Sequence, residues 1–240
     1  MQGAPTDMVN FSELLPVFFS TDLPVLPTAA AADLALHGAW ALVLGAALLG
    51  LVKGRVTMAV SRLATLLMMG WALLPGPVSP SYWLGLAFQS PSLTSTLLCL
   101  LFLGQSWCQT SIAGDAAHSA GVPVNQRATW LFPAAAGALL GWVLLLDTLA
   151  CWPVSVYAWG FSPAALAALC GLTALFWLAQ GAGWPCFRTS ALMALVLGLF
   201  AMLRLPSGNV WDAVLDPFLW LGLQVWLLLP VLRHRFSRGV

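Results

Sequence analysis

Residues 204–224, RLPSGNVWDAVLDPFLWLGLQ, set Arg204, Asp212 and Asp216 beside a membrane-length apolar run. On a continuous helix Asp212, Asp216, Trp220 and Gln224 form one stripe, because side chains four apart share a face. Ionisable groups at membrane depth are costly and turn toward a protein interior, a cavity or a partner. The stretch predicts a membrane helix with a polar constellation at one end.

The rest of the chain supports a membrane setting. Of its 240 residues 60% are hydrophobic and 7% charged, against about 25% charged in soluble domains. A chain so poor in charge suits a lipid bilayer rather than water. The net charge of +1 offers no bulk basic surface for nucleic acid. The five cysteines, Cys99, Cys108, Cys151, Cys170 and Cys186, form no CxxC pair, so they read as small apolar residues, not a redox site.

Seven apolar runs follow in order, at about 35–52, 57–75, 82–104, 128–149, 157–179, 189–203 and 213–232. Most approach the ~20 residues that a crossing needs. Residues 1–34 form an acidic leader, broken by Pro16, Pro24 and Pro27, suited to an interface or to the helix ends. It lacks the basic and apolar pattern of a signal peptide. Residues 233–240 are a basic tail. With the amino terminus outside, Lys53, Arg55, Arg62, Arg127, Arg188, Arg233, Arg235 and Arg238 fall on the cytoplasmic side, and Arg204 alone outside. This is the positive-inside pattern. The expected fold is an all-α, seven-span bundle over 35–232, multi-pass in a bacterial-type inner membrane.

Two segments echo each other: GPVSPSYWLG before the third run and WPVSVYAWG before the fifth. They suggest a repeated helical hairpin or an interfacial aromatic belt. Tryptophans near the span ends fit the belt.

Candidate sites follow from this topology. His37, Asp147, Arg204, Asn209, Asp212 and Asp216 share the outer face with Asp33. Two carboxylates four residues apart beside an imidazole suit cation binding or proton passage, or else a solvated rim in which Arg204 pairs with one Asp. In the third run Gly85, Gln89, Ser92, Thr96 and Cys99 follow helical spacing, for packing or for lining a polar path. Pro91 there frees carbonyls for Ser90, Ser92 or Ser95 to satisfy. Gly137 and Gly141 allow close helix approach to a partner in this chain or another. Asp115 and His118 lie in a polar loop without a nucleophile motif.

No cofactor is expected. The three histidines do not pair mid-span for haem, no lysine in the seventh run would hold retinal, and the outer face has too few nitrogen or sulfur ligands for a transition metal. The leading functional expectation is a non-enzymatic accessory or scaffold subunit that docks other membrane proteins. The alternatives are a small transporter of a cation, proton-coupled solute or lipid group using Asp212 and Asp216, lined by Gln89, Ser92 and Gln224, and a membrane-interface enzyme using Asp147, Asp212 and His37.

Overall fold

A computed structural model describes residues 16, 18–21, 24–108, 126–151, 153, 155–179 and 184–236, with side chains described except at 126–130, 179, 184–188 and 231–236. The chain is all-helical; among the described residues there are ten α-helices and no strand. In chain order the helices are α1 (Ala29–Val52), α2 (Met58–Ala72), α3 (Pro80–Phe88), α4 (Leu93–Cys108), α5 (Gln126–Thr148), α6 (Val156–Trp159), α7 (Pro163–Ala179), α8 (Trp184–Leu203), α9 (Val210–Val214) and α10 (Pro217–Phe236). A 3-10 turn, Gly76–Val78, precedes α3.

Local chemistry sets these ends. The Thr28 and Thr57 hydroxyls accept the Ala31 and Val60 N–H groups and start α1 and α2. Such caps satisfy N–H groups that have no partner within the helix. Gly54, at φ +81, lets the chain turn between the two helices.

The third, fifth and seventh apolar runs are not continuous helices. Each opens with a short helix, breaks at a polar cap, and continues as a long helix. The breaks are Gln89–Ser92 between α3 and α4, Gly160–Ser162 between α6 and α7, and Leu215–Asp216 between α9 and α10. Pro163 and Pro217 occupy the first positions of α7 and α10. Proline suits that position, where its missing N–H is not needed, and it pushes the preceding residue out of helical conformation. Two sequence expectations are thereby corrected. Asp212 and Asp216 do not share a helix, and Gly85, Gln89, Ser92 and Cys99 do not form one helical face.

Long helix, short helix, capped break and long helix recur as α2–α3–α4, α5–α6–α7 and α8–α9–α10. The recurrence includes the echoed segments, in which Ser79 and Ser155 cap α3 and α6.

The core gathers on α8. Val196, Leu197 and Phe200 are buried against Ala165 of α7 and Val210, Trp211, Ala213 and Val214 of α9. Helix α4 packs on both α1 and α8, and α10 packs on α5. A Cβ on Gly137 would stand 2.8 Å from Leu223, and one on Gly141 would collide with Trp220. The small-residue pair therefore accommodates α10 of the same chain. Trp220 completes the contact by donating its indole N–H to the Ala138 carbonyl at 3.1 Å.

Two helices, Ala29–Val52 and Leu131–Thr148, are long and apolar enough to cross a membrane by length and composition. Met58–Ala72, Leu93–Cys108, Pro163–Leu178, Thr189–Leu203 and Pro217–Pro230 are apolar but shorter. These features point, weakly, to membrane association.

Candidate functional site

Asp216 sits where two helices begin. Its Oδ1 accepts the Leu219 N–H at 2.8 Å, capping α10. Its Oδ2 accepts both the N–H and the hydroxyl of Ser92, at 2.9 and 2.7 Å. Ser92 in turn caps α4, its hydroxyl oxygen accepting the Ser95 N–H at 3.1 Å. The opening turns of α4 and α10 thus converge on one carboxylate, which is only 8% exposed. Helix N-termini carry partial positive charge, and two of them face this one acceptor.

The α3–α4 break is held from α1. The Trp40 indole donates to the Gln89 carbonyl at 2.9 Å, satisfying a backbone group freed by the interruption. Gln89 itself lies at φ 62 and ψ −156, a region that glycine alone adopts cheaply. Of the carbonyls near Pro91, that of Pro91 receives the Ser90 hydroxyl at 3.4 Å and that of Ser92 receives the Thr96 hydroxyl at 2.8 Å.

Asp212, on α9, accepts the Tyr157 hydroxyl at 2.7 Å and the Ser207 hydroxyl. Burial, helped by the Asp212 carboxylate, pushes the Tyr157 phenol well above its ordinary range. Asn209 caps α9 through the Trp211 N–H at 2.9 Å and donates its amide to the Tyr157 carbonyl at 2.9 Å. Asp147, near the end of α5, accepts the Val156 and Tyr157 N–H groups at 3.0 and 2.8 Å and the Ser155 hydroxyl at 3.2 Å. It works as the anchor of α6.

Between these elements lies a cleft of about 820 Å³, lined by residues that include Asp33, Leu36, Phe88, Gln89, Ser90, Tyr157, Ser207, Asp212 and Asp216. Residues from the start of α1, the α3–α4 break and the α9–α10 break meet here. A second, smaller pocket of about 170 Å³ is lined by Val43, Pro91, Ser95, Leu98, Cys99, Asp216, Phe218 and Leu219. Asp216 belongs to both. The rings of Phe88, on the cleft, and Phe218, on the pocket, meet edge to face with centroids 5.0 Å apart.

Other predicted residues fall outside this arrangement. His37 Nδ1 is 3.5 Å from an Asp33 carboxylate oxygen that is otherwise exposed, and His37 does not line the cleft. Arg204 ends α8 at φ 54, with its guanidinium 5.3 Å from the Phe200 ring centre. Among the described residues it pairs with neither Asp212 nor Asp216, against the expectation of an ion pair. Gln224 stands two turns below Asp216 on α10, its Nε2 buried without a hydrogen bond among the described residues. Asp115 and His118 lie outside the described residues. No group of three metal-ligating side chains occurs among the described residues.

Sequence reasoning missed Trp40, Tyr157 and Ser207. Trp40 lies inside an apolar run and Tyr157 in an echoed segment, and only their long-range partners reveal another role. Asp216-Pro217 is a cap-and-proline signal that was available. Comparison with protein-family models, curated proteins and solved structures found no match.

Proposed function

We propose that this chain is a seven-span protein of a bacterial-type inner membrane that carries a small cation or proton-coupled solute through its Asp-lined cleft. The seven spans are α1, α2, α4, α5, α7, α8 and α10, with the short helices α3, α6 and α9 at the outer end. The observation that supports transport most is the shared position of Asp216, at a junction of two broken helices and on the boundary between cleft and pocket. Broken helices at membrane depth are tolerated where they are buried in protein or line a cavity, and carriers use them to build ion and substrate sites. Beside Asp33 and Asp216, Asp212 supplies the third carboxylate of the cleft wall. Tyr157 and Ser207 hold it in place through Oδ2.

The test is flux into proteoliposomes loaded with a pH-sensitive dye and challenged with gradients of sodium, potassium or methylammonium. At least one gradient is expected to drive a change in internal pH above empty liposomes. Asp212→Asn with Asp216→Asn is expected to abolish it. No flux with any of the three ions, or equal flux in the double variant, argues against this function.

A second reading, an accessory subunit of a larger membrane assembly, draws on α7. That helix packs chiefly on α8 and leaves Leu172, Leu175, Trp177 and Leu178 exposed. The internal use of Gly137 and Gly141 by α10 removes one reason for it. Purification in mild detergent at native expression tests it: a partner protein that co-elutes supports it, and a lone monomer counts against it.

A further inference from the structure

We infer that Asp216 and Ser92 form a gate between the outer cleft and the inner pocket. Asp216, at the α9–α10 break, lines both spaces, and Ser92 bonds to it from the α3–α4 break. Ser90 lies on the cleft side and Pro91 on the pocket side. Phe88 and Phe218 divide in the same way, and their half-exposed rings meet edge to face. Two bonds from Ser92 to Asp216 tie the α4 break to the α10 break, and the Thr94 hydroxyl adds a longer one to the Ala213 carbonyl at 3.4 Å. Releasing the two Ser92 bonds frees the Asp216 carboxylate from α4, while Thr94 keeps its bond to Ala213 and the α5–α10 seam is held separately by Trp220 and Ala138.

Opened, the gate extends the cleft to Cys99. This thiol lies two turns below Ser92 on α4 and lines the inner pocket. The pocket walls are otherwise apolar apart from Asp216 and Ser95, so a solute moving inward leaves a cleft lined by Asp33, Asp212 and Asp216 and passes a single carboxylate. The inference rests on the carrier reading for its purpose, but its test needs no solute.

The native Cys99 provides the readout. Cys108, Cys151, Cys170 and Cys186 are replaced by serine, and the remaining thiol is reacted in detergent with a small, permanently charged methanethiosulfonate. In the otherwise unaltered protein Cys99 is expected to react at least about tenfold more slowly than in SDS-unfolded protein. Ser92→Ala and, separately, Asp216→Ala are each expected to raise the rate at least about tenfold. Rates are read on fractions with the parent's elution volume and helix content. If Asp216→Ala yields no such fraction, Ser92→Ala, which keeps the backbone bond, decides alone. Rates within twofold of the parent in the folded variants, or a parent Cys99 that reacts as fast as in SDS, overturn the gate. Such a result leaves flux through the cleft to be judged by its own assay, and absent flux leaves the labelling result standing.

Discussion

Ser92 donates both its backbone N–H and its hydroxyl to the same oxygen of Asp216, across 124 residues of sequence. Two helix caps are thereby linked. The local duty of each residue, to start its own helix, is also a tertiary contact.

This linkage predicts unequal and coupled losses. Asp216→Ala removes three accepted hydrogen bonds and should cost about 2–4 kcal/mol, since bonds to charged groups are worth about 1.5–3 kcal/mol each and do not add. Ser92→Ala removes one hydroxyl and a helix cap, and should cost about 1–2 kcal/mol. Denaturant unfolding of both single variants and the double variant should give a coupling energy of about 1–3 kcal/mol. Additive losses would mean that the two caps act independently.

Gly141→Ala should destabilise more than Gly137→Ala. The added methyl at 141 meets Trp220, whose ring is fixed by its bond to Ala138 and by an edge contact with Trp142 at 5.3 Å. At 137 it meets only the end of the Leu223 side chain, which can rotate away. Overpacking costs about 1–3 kcal/mol, so a drop in thermal midpoint is expected at 141 and a smaller one at 137. The reverse order would contradict this packing.

Gln89→Gly should stabilise the protein. A non-glycine residue at this φ and ψ carries roughly 1–3 kcal/mol of strain, of which the freer unfolded glycine returns about 1 kcal/mol or less. A rise in thermal midpoint is expected. Trp40→Phe should lower it by leaving the Gln89 carbonyl without its donor. A fall on Gln89→Gly would show that the side chain contributes more than the strain costs.

The Tyr157 phenol predicts a pH dependence. Its proton is held more tightly in the folded protein than in the unfolded chain, where the phenol titrates at about pH 10, because of burial and the Asp212 bond. This stabilisation is complete below that unfolded value and is lost as pH rises through the folded one. Above about pH 10 the parent should therefore lose thermal stability more steeply than Tyr157→Phe. In a Tyr82→Phe background, tyrosinate absorbance should appear later in the native protein than in the unfolded one. Coincident titrations would contradict the buried phenol–carboxylate bond.

Much of the helical layout was legible in the sequence, because apolar runs between polar turns report helices directly. The expected second run at 57–75 became α2 over Met58–Ala72, and the fourth at 128–149 became α5 over Gln126–Thr148. Asp33, Asp212 and Asp216, expected near outer ends, line one cleft. The breaks were not read. Averaged over a span, one Asp-Pro or Ser-Pro step barely changes hydropathy, although such a step is an ordinary way to start a helix. The Trp40–Gln89 bond spans 49 residues and has no local signature. Charge alone suggests an acidic partner for Arg204, whereas in the fold it ends α8 beside Phe200.

The most direct test of the arrangement as a whole is thiol labelling on intact cells with an impermeant maleimide, in a background without native cysteines. Ala87→Cys and Thr148→Cys, at exposed positions lining the cleft, should label without permeabilisation, whereas Lys53→Cys, at the far end of α1, should label only after it. Labelling of Lys53→Cys from outside together with silence at both cleft positions, or all three reacting alike on intact cells, would contradict an outward-facing cleft in a membrane-spanning bundle.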